Sequence, residues 1–117
     1  MQIEQAMVLP TTTEPPGLEL RINFGVFAGR DATAAELEEL AKLLVPQVGE
    51  VSLVSEERHE VAEGREVVLH QVRIEVPPER VPDDEVERTE LEEKLVATAE
   101  FWTRACVADR HAEITEL

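Results

Sequence analysis

The most constraining feature of the sequence is a pair of alternating runs, Glu50–Val61 and Arg65–Val76, joined by a Glu63-Gly64 turn. A short turn that contains glycine and separates two alternating runs predicts a β-hairpin. The turn also sets the register, because cross-strand partners are found by counting outward from it. The count places Glu57 opposite His70. The segment therefore predicts pairs of facing residues as well as two strands.

The segment before the hairpin predicts one strand and one helix. Thr33 and Glu36 have the spacing of a capping box at a helix start, and leucines follow at helical intervals. Pro46 and Gly49 are expected to end this helix. Ahead of it, apolar residues alternate with other residues, a pattern typical of a strand with one buried face. These alternating positions are Leu18, Leu20, Ile22, Phe24 and Val26.

The segment after the hairpin predicts a second, longer helix. It is expected to begin between Asp83 and Thr89, where Thr89 and Glu92 form another capping-box pattern, and to extend to about Arg110. Its apolar positions form a broad stripe that is expected to be buried. This stripe includes the single cysteine of the chain, Cys106, which we interpret as a buried core thiol.

The predicted element order is β-α-β-β-α, with an optional final strand at residues 111–117. This is the order of the ferredoxin-like α+β fold, a two-layer sandwich in which two helices cover one face of an antiparallel sheet. Residues 18–117 are long enough for one core and are predicted to form a single domain. Prolines and threonines in residues 10–17 indicate a linker, so residues 1–17 are predicted to be an N-terminal arm and linker. Within the arm, residues 2–9 are a candidate edge strand.

The charge of the chain restricts its partners. The sequence has 26 acidic residues against 11 lysines and arginines, for a net charge of −15. Binding to nucleic acid or to anionic lipid depends on clustered basic residues, so we expect neither nucleic acid nor a membrane as a partner. The sequence also lacks the pattern of a secretory leader and any apolar run of membrane-spanning length. We therefore expect a cytoplasmic location.

Three polar residues near the hairpin tip form the main candidate site. The register places Glu57, His59 and His70 on the core side of the hairpin, with His59 diagonal to His70. Two imidazoles and a carboxylate can ligate a divalent metal, or a histidine can act as a general base oriented by the acid. The three are therefore candidate catalytic residues and candidate metal ligands, although they identify no cofactor. The alternative is a solvated His-Glu pair, since no metal-binding spacing motif accompanies them.

The loop between the first strand and the first helix is a second candidate site, for a ligand. Gly29 would allow a ligand to approach the backbone closely. Arg30 and the free N–H groups of the helix start at Thr33 can hold a carboxylate or a phosphate. Against this, Asp31 would repel an anion and no glycine-rich phosphate motif is present. An ordinary strand-to-helix turn is the alternative.

The sequence as a whole favours a non-enzymatic binding or assembly module. The face of the sheet opposite the helices mixes charged and apolar residues, and we expect the chain to form a homo-oligomer through its sheet, with a small-molecule or protein ligand. One alternative is a small metal-dependent or acid-base enzyme that uses the histidine cluster. Another is an acidic mimic of nucleic acid that binds a basic protein through residues 82–93, which contain seven acids.

Overall fold

The computed structural model describes the backbone of residues 7–13 and 17–115. Within these residues, no helix combines the length and the apolar character needed to cross a membrane. The elements are β1 (Val8–Thr13), β2 (Gly17–Ile22), α1 (Phe24–Ala28), α2 (Ala34–Val48), β3 (Ser52–Ala62), β4 (Arg65–Val76), a 3₁₀ turn (Pro78–Arg80) and α3 (Glu85–Thr115).

The four strands form one antiparallel sheet in the order β1-β2-β4-β3. β3 and β4 pair along their whole length, with Glu57 opposite His70, so the predicted hairpin register is confirmed. Glu63 and Gly64 have φ values of 53° and 75°. Positive φ at both central residues is what a type I′ hairpin turn requires, and glycine adopts it without steric cost.

The mixed α+β class is confirmed, but the ferredoxin-like strand order is not. The edge position beside β2 is occupied by β1, which precedes β2 in the chain, and α3 continues to Thr115. The optional final strand is therefore wrong for residues 111–115. β1 is held at the edge because Val8 is buried in the core and the Asn23 N–H donates to the Met7 carbonyl at 2.9 Å.

The position of β1 also changes the predicted arm and linker. The edge strand forms at Val8–Thr13, so it overlaps the candidate strand of residues 2–9 at Val8 and Leu9, and residues 10–13 belong to this strand instead of to a linker. Residues 1–6 and 14–16 lie outside the described part of the chain. Because β1 pairs with β2 from end to end, the described part of the arm is built into the same sheet as the rest of the chain.

The first predicted strand is shorter than the alternation suggested. β2 ends at Ile22 and the chain turns into the short helix α1, so Phe24 is buried from a helix and Val26 is exposed. Gly25 explains this turn, since a β-carbon at that position would lie 2.9 Å from the β-carbon of His70. Only glycine allows α1 to approach β4 so closely.

The core lies between the sheet and the helices, and Trp102 is at its centre. Trp102 is 2% exposed. Its indole Nε1 donates to the Glu36 carbonyl at 2.8 Å, and its ring lies 5.2 Å from the Phe24 ring. Trp102 thus connects α3 to both α1 and α2. The other buried apolar residues include Leu18, Leu20, Ile22, Leu40, Leu44, Val72, Ile74, Val76, Leu95, Ala99 and Cys106.

The helix boundaries follow their capping residues. The predicted capping box of Thr33 and Glu36 is present, and α2 ends before Gly49 as predicted, whereas Pro46 lies inside the helix and does not end it. α3 begins at the early end of its predicted range, where the Asp84 carboxylate accepts from the Glu87 N–H at 3.0 Å. Thr89 lies inside α3 and its hydroxyl donates to the Glu85 carbonyl at 2.9 Å, so the predicted capping box of Thr89 and Glu92 is wrong. An aspartate ahead of the first turn is the stronger cap because it accepts from a free N–H.

Candidate metal centre on the hairpin

The outer half of the β3–β4 hairpin extends past the rest of the sheet. β2 pairs with β4 only from Val72 to Val76. Closer to the hairpin tip, α1 lies against β4 where Gly25 contacts His70. The loop that follows α1 therefore passes beside the hairpin and can place a side chain next to it.

Asp31, Glu57 and His70 converge at this point. They come from three elements: the α1–α2 loop, β3 and β4. One donor atom from each lies within 4.8 Å of the other two. His70 Nδ1 is 2.6 Å from Asp31 Oδ1 and 3.9 Å from Glu57 Oε1. The two carboxylates are about half exposed, at 54% and 57%, whereas the His70 side chain is 32% exposed. The cluster is therefore open to solvent on its acidic side.

The Nδ1 atom of His70 is buried and has no hydrogen-bond partner among the described residues. The Asp31 oxygen is close to it, but its direction does not give a hydrogen bond. A buried polar atom without a partner usually costs free energy, and such atoms are often explained by an ion or a ligand. A neutral imidazole nitrogen in this state can donate its lone pair to a metal.

His59 lies beside the cluster on the same face of the hairpin. Its Nδ1 is 2.8 Å from Glu66 Oε1, and its Nε2 is 3.9 Å from Glu57 Oε2. The ring is about half exposed. Glu57 thus directs one carboxylate oxygen towards each of the two histidines.

These distances are compatible with metal coordination. Nitrogen and oxygen ligands bind ions such as Zn²⁺ at about 2.0–2.2 Å, so two ligands of one ion are roughly 3–4 Å apart. The 3.9 Å separation of Glu57 and His70 fits this range. The 2.6 Å separation of Asp31 and His70 is shorter, and the exposed Asp31 carboxylate would move outward to admit an ion.

The sequence predicted part of this cluster. Glu57 and His70 face each other as expected, and His59 lies on the expected side, while their metal-binding and catalytic roles stay predictions. Asp31 was missed as a partner and was considered only as a group that repels anions. The local signal is Gly25, because a glycine inside a strand pattern often marks a close approach of another backbone, but this signal does not identify Asp31 as the partner.

The residues of the second candidate site have defined places in the loop. Gly29 ends α1 with a φ of 73°. Arg30 binds both oxygens of Glu36 at 2.7 Å, and Thr33 caps α2. The Arg30 guanidinium lowers the pKa of Glu36 from 4.5 to about 2, against the opposing effect of burial and with further hydrogen bonds from Thr33. Because Glu36 neutralises Arg30, anion binding by this loop stays a prediction that would require the pair to open.

The open face of the sheet carries a network of ion pairs. Arg21 lies 2.6 Å from Glu56 and 3.2 Å from Glu19, and Arg73 lies 3.4 Å from Glu56 and 3.0 Å from Glu75. The charged residues of neighbouring strands therefore neutralise one another. Because these ion pairs cover this part of the open face, an apolar surface for self-association would have to lie elsewhere on the chain.

The acidic run at residues 82–93 forms the approach to α3 and its first turns. Asp84 caps the helix, and Glu85 and Glu87 lie in its first turn, where negative charge is favoured by the helix dipole. These acids thus have a structural role, and binding to a basic protein stays a prediction.

No protein-family model, no curated protein and no solved structure matches the chain.

Proposed function

We propose that this chain binds a divalent metal ion through Asp31, Glu57 and His70. The observation that carries the proposal is the convergence of these three side chains from separate elements, with donor atoms within 4.8 Å of one another. The buried His70 Nδ1 supports it, because this atom has no hydrogen-bond partner among the described residues. Metal binding would provide that partner and would offset the repulsion between the two carboxylates.

The proposed ligand set suits an ion of intermediate hardness. Carboxylates bind Mg²⁺, Ca²⁺ and Mn²⁺ well, whereas imidazole favours Zn²⁺ and the later transition metals. Three protein ligands leave a coordination position for water or for an atom of another molecule. A small-molecule ligand would bind at that position, and an enzymatic use of the site would begin there.

The test is a calorimetric titration of the tag-free protein with ZnCl₂ near neutral pH. We expect one ion per chain for the unchanged protein. His70→Ala removes the nitrogen ligand, and we expect the affinity to fall by about 100-fold or more, since even the loss of an outer partner of a ligand costs roughly 10–100-fold. Asp31→Asn and Glu57→Gln should each weaken binding as well.

Glu60→Gln is the matched control for Glu57→Gln. Glu60 lies on the same strand but on the opposite face of the hairpin, 3.8 Å from Arg58. The control should leave zinc affinity within about twofold, because a distant exposed charge has little effect through water and salt. Equal losses for Glu60→Gln and Glu57→Gln, or no zinc binding by the unchanged protein, would rule out the proposed site.

A second candidate function is self-association through the outer half of the hairpin. Apolar side chains are exposed there on both faces: Val61 at 80%, Val68 at 44% and Val67 at 39%. A two-stranded ribbon with both faces in water has little stability of its own. Pairing with the hairpin of a second copy would bury these side chains and form a homo-oligomer, through the hairpin tip instead of the open face of the sheet that the sequence suggests.

Light scattering coupled to size-exclusion chromatography tests this second function. We expect a dimer mass at high protein concentration, and Val61→Lys should shift the mass towards that of a monomer because a charge cannot be buried in an apolar contact without cost. Val86→Lys is the control, since Val86 is 66% exposed on α3, away from the hairpin. A monomer mass for the unchanged protein at every concentration would exclude self-association without affecting the metal site.

A further inference from the structure

We infer that His59, oriented by Glu66, is a fourth ligand of the same centre and makes it selective for Zn²⁺-like ions over Ca²⁺ and Mg²⁺. This inference rests on the proposed metal function. It adds an orienting residue and an ion class, and it places His59 at the coordination position that Asp31, Glu57 and His70 leave open, so that a small molecule would bind only as a fifth ligand of the ion.

The contact of His59 with Glu66 assigns its tautomer. His59 Nδ1 lies 2.8 Å from Glu66 Oε1. An ionised carboxylate can only accept a hydrogen bond, so Nδ1 carries the proton and donates it. In the neutral ring the lone pair is then on Nε2. Histidines that bind metals commonly donate their other N–H to a carboxylate in this way, which fixes the ring and raises its basicity.

The direction of the free nitrogen points to a shared cation. His59 Nε2 faces Glu57 Oε2 at 3.9 Å, and the other Glu57 oxygen faces His70 Nδ1 at the same distance. At 3.9 Å these nitrogen and oxygen atoms are too far apart for a hydrogen bond. A cation between them would form a coordinate bond with each, with Glu57 placed between the two imidazoles.

His59 would have to close around the ion. It lies beside the three residues whose donor atoms are within 4.8 Å of one another. Its side chain is 55% exposed, and its partner Glu66 is 66% exposed. Both side chains are therefore able to move together towards Glu57 without disturbing packed residues.

Two imidazoles change which ion the centre prefers. Ca²⁺ takes six to eight oxygen ligands and Mg²⁺ requires an octahedral oxygen shell, so neither gains much from a second nitrogen. Zn²⁺ binds two nitrogens and two oxygens in a tetrahedral arrangement readily. The contribution of His59 should therefore be large for Zn²⁺ and small for Ca²⁺.

The experiment compares Zn²⁺ and Ca²⁺ affinities, by calorimetry, for the unchanged protein and for His59→Ala, Glu66→Gln and the control Glu63→Gln. We expect His59→Ala to weaken Zn²⁺ binding by about 100-fold and Glu66→Gln by about 10-fold, with Ca²⁺ binding little changed. Glu63→Gln removes a charge at the exposed turn and should change neither affinity. Binding of Zn²⁺ that requires His70 but is unaffected by His59→Ala would overturn this inference and leave the proposed function intact.

A second measurement does not depend on any variant. Nitrogen NMR of the histidine rings during a ZnCl₂ titration should show a large shift of His59 Nε2 while Nδ1 keeps its proton. If Zn²⁺ binds and only the His70 nitrogens shift, His59 is not a ligand.

Discussion

Replacing Trp102 with alanine is expected to lower the free energy of unfolding by about 3–5 kcal/mol, the usual cost of removing a large buried aromatic side chain. The residue is 2% exposed and stacks at an angle on Phe24, with 5.2 Å between ring centroids. Its loss would also remove the hydrogen bond to the Glu36 carbonyl. Since Trp102 connects α3 to α1 and α2, the helical layer would lose a buried contact that joins all three helices. Urea unfolding followed by circular dichroism measures the change.

Two control variants separate the causes of this effect. Trp102→Phe keeps a ring but deletes the indole N–H, so we expect a smaller loss, with about 1 kcal/mol of it from the missing hydrogen bond. Phe101→Ala truncates the preceding residue, which is 64% exposed, and should cost less than about 1 kcal/mol. If Trp102→Ala were as mild as Phe101→Ala, the packing of α3 against α1 and α2 described above would be incorrect.

The hairpin was predictable because its register depends on local chemistry. A glycine in the turn between two alternating runs leaves little choice of pairing, and a slip by one residue would expose Leu53 and Ile74. Counting from the turn was therefore enough to place Glu57 opposite His70. The capping box of Thr33 and Glu36 was also predictable, because its two residues are only three positions apart in the sequence.

The other parts of the fold depend on contacts between distant residues. Two segments could pair with the free edge of β2: β1 or a strand at the C-terminal end. The sequence pattern does not show which of the two forms the more stable pairing. The apolar alternation through Phe24 and Val26 is compatible with a strand. These residues form the helix α1 instead, which packs against β4 where Gly25 comes close to His70. Asp31 reaches the site only because of that helix, so no local pattern links it to His70.

The ion pair of Glu36 and Arg30 is expected to stabilise the folded chain, by an amount that depends on pH. Arg30 holds both oxygens of Glu36 at 2.7 Å, and the Thr33 N–H donates to one of them at 2.9 Å. Glu36→Gln keeps an oxygen for Thr33 but removes the charge that faces Arg30. We expect it to lower the free energy of unfolding at neutral pH by about 1–2 kcal/mol, as for other partly buried charged hydrogen bonds.

The pH dependence of this loss follows from the pKa of Glu36. The pKa is about 2 in the folded chain, below the ordinary value of 4.5 that applies after unfolding. A group whose pKa is lowered by folding stabilises the folded state fully above its unfolded pKa, and this contribution disappears as pH falls through the folded pKa. The advantage of the unchanged protein over Glu36→Gln should therefore be constant above pH 4.5, shrink between pH 4.5 and about 2, and then vanish.

Glu39→Gln provides the matched control on the same helix. Glu39 pairs with Lys42 at 3.3 Å, but both side chains are about 70% exposed. An exposed pair of this kind contributes at most about 0.5 kcal/mol, so the variant should unfold almost like the unchanged protein over the whole pH range. Urea unfolding of the three proteins at a series of pH values measures both effects. A gap for Glu36→Gln that stays the same from neutral pH down to pH 2 would mean that the loss does not come from the charge of Glu36, because the gain from Arg30 requires the ionised carboxylate.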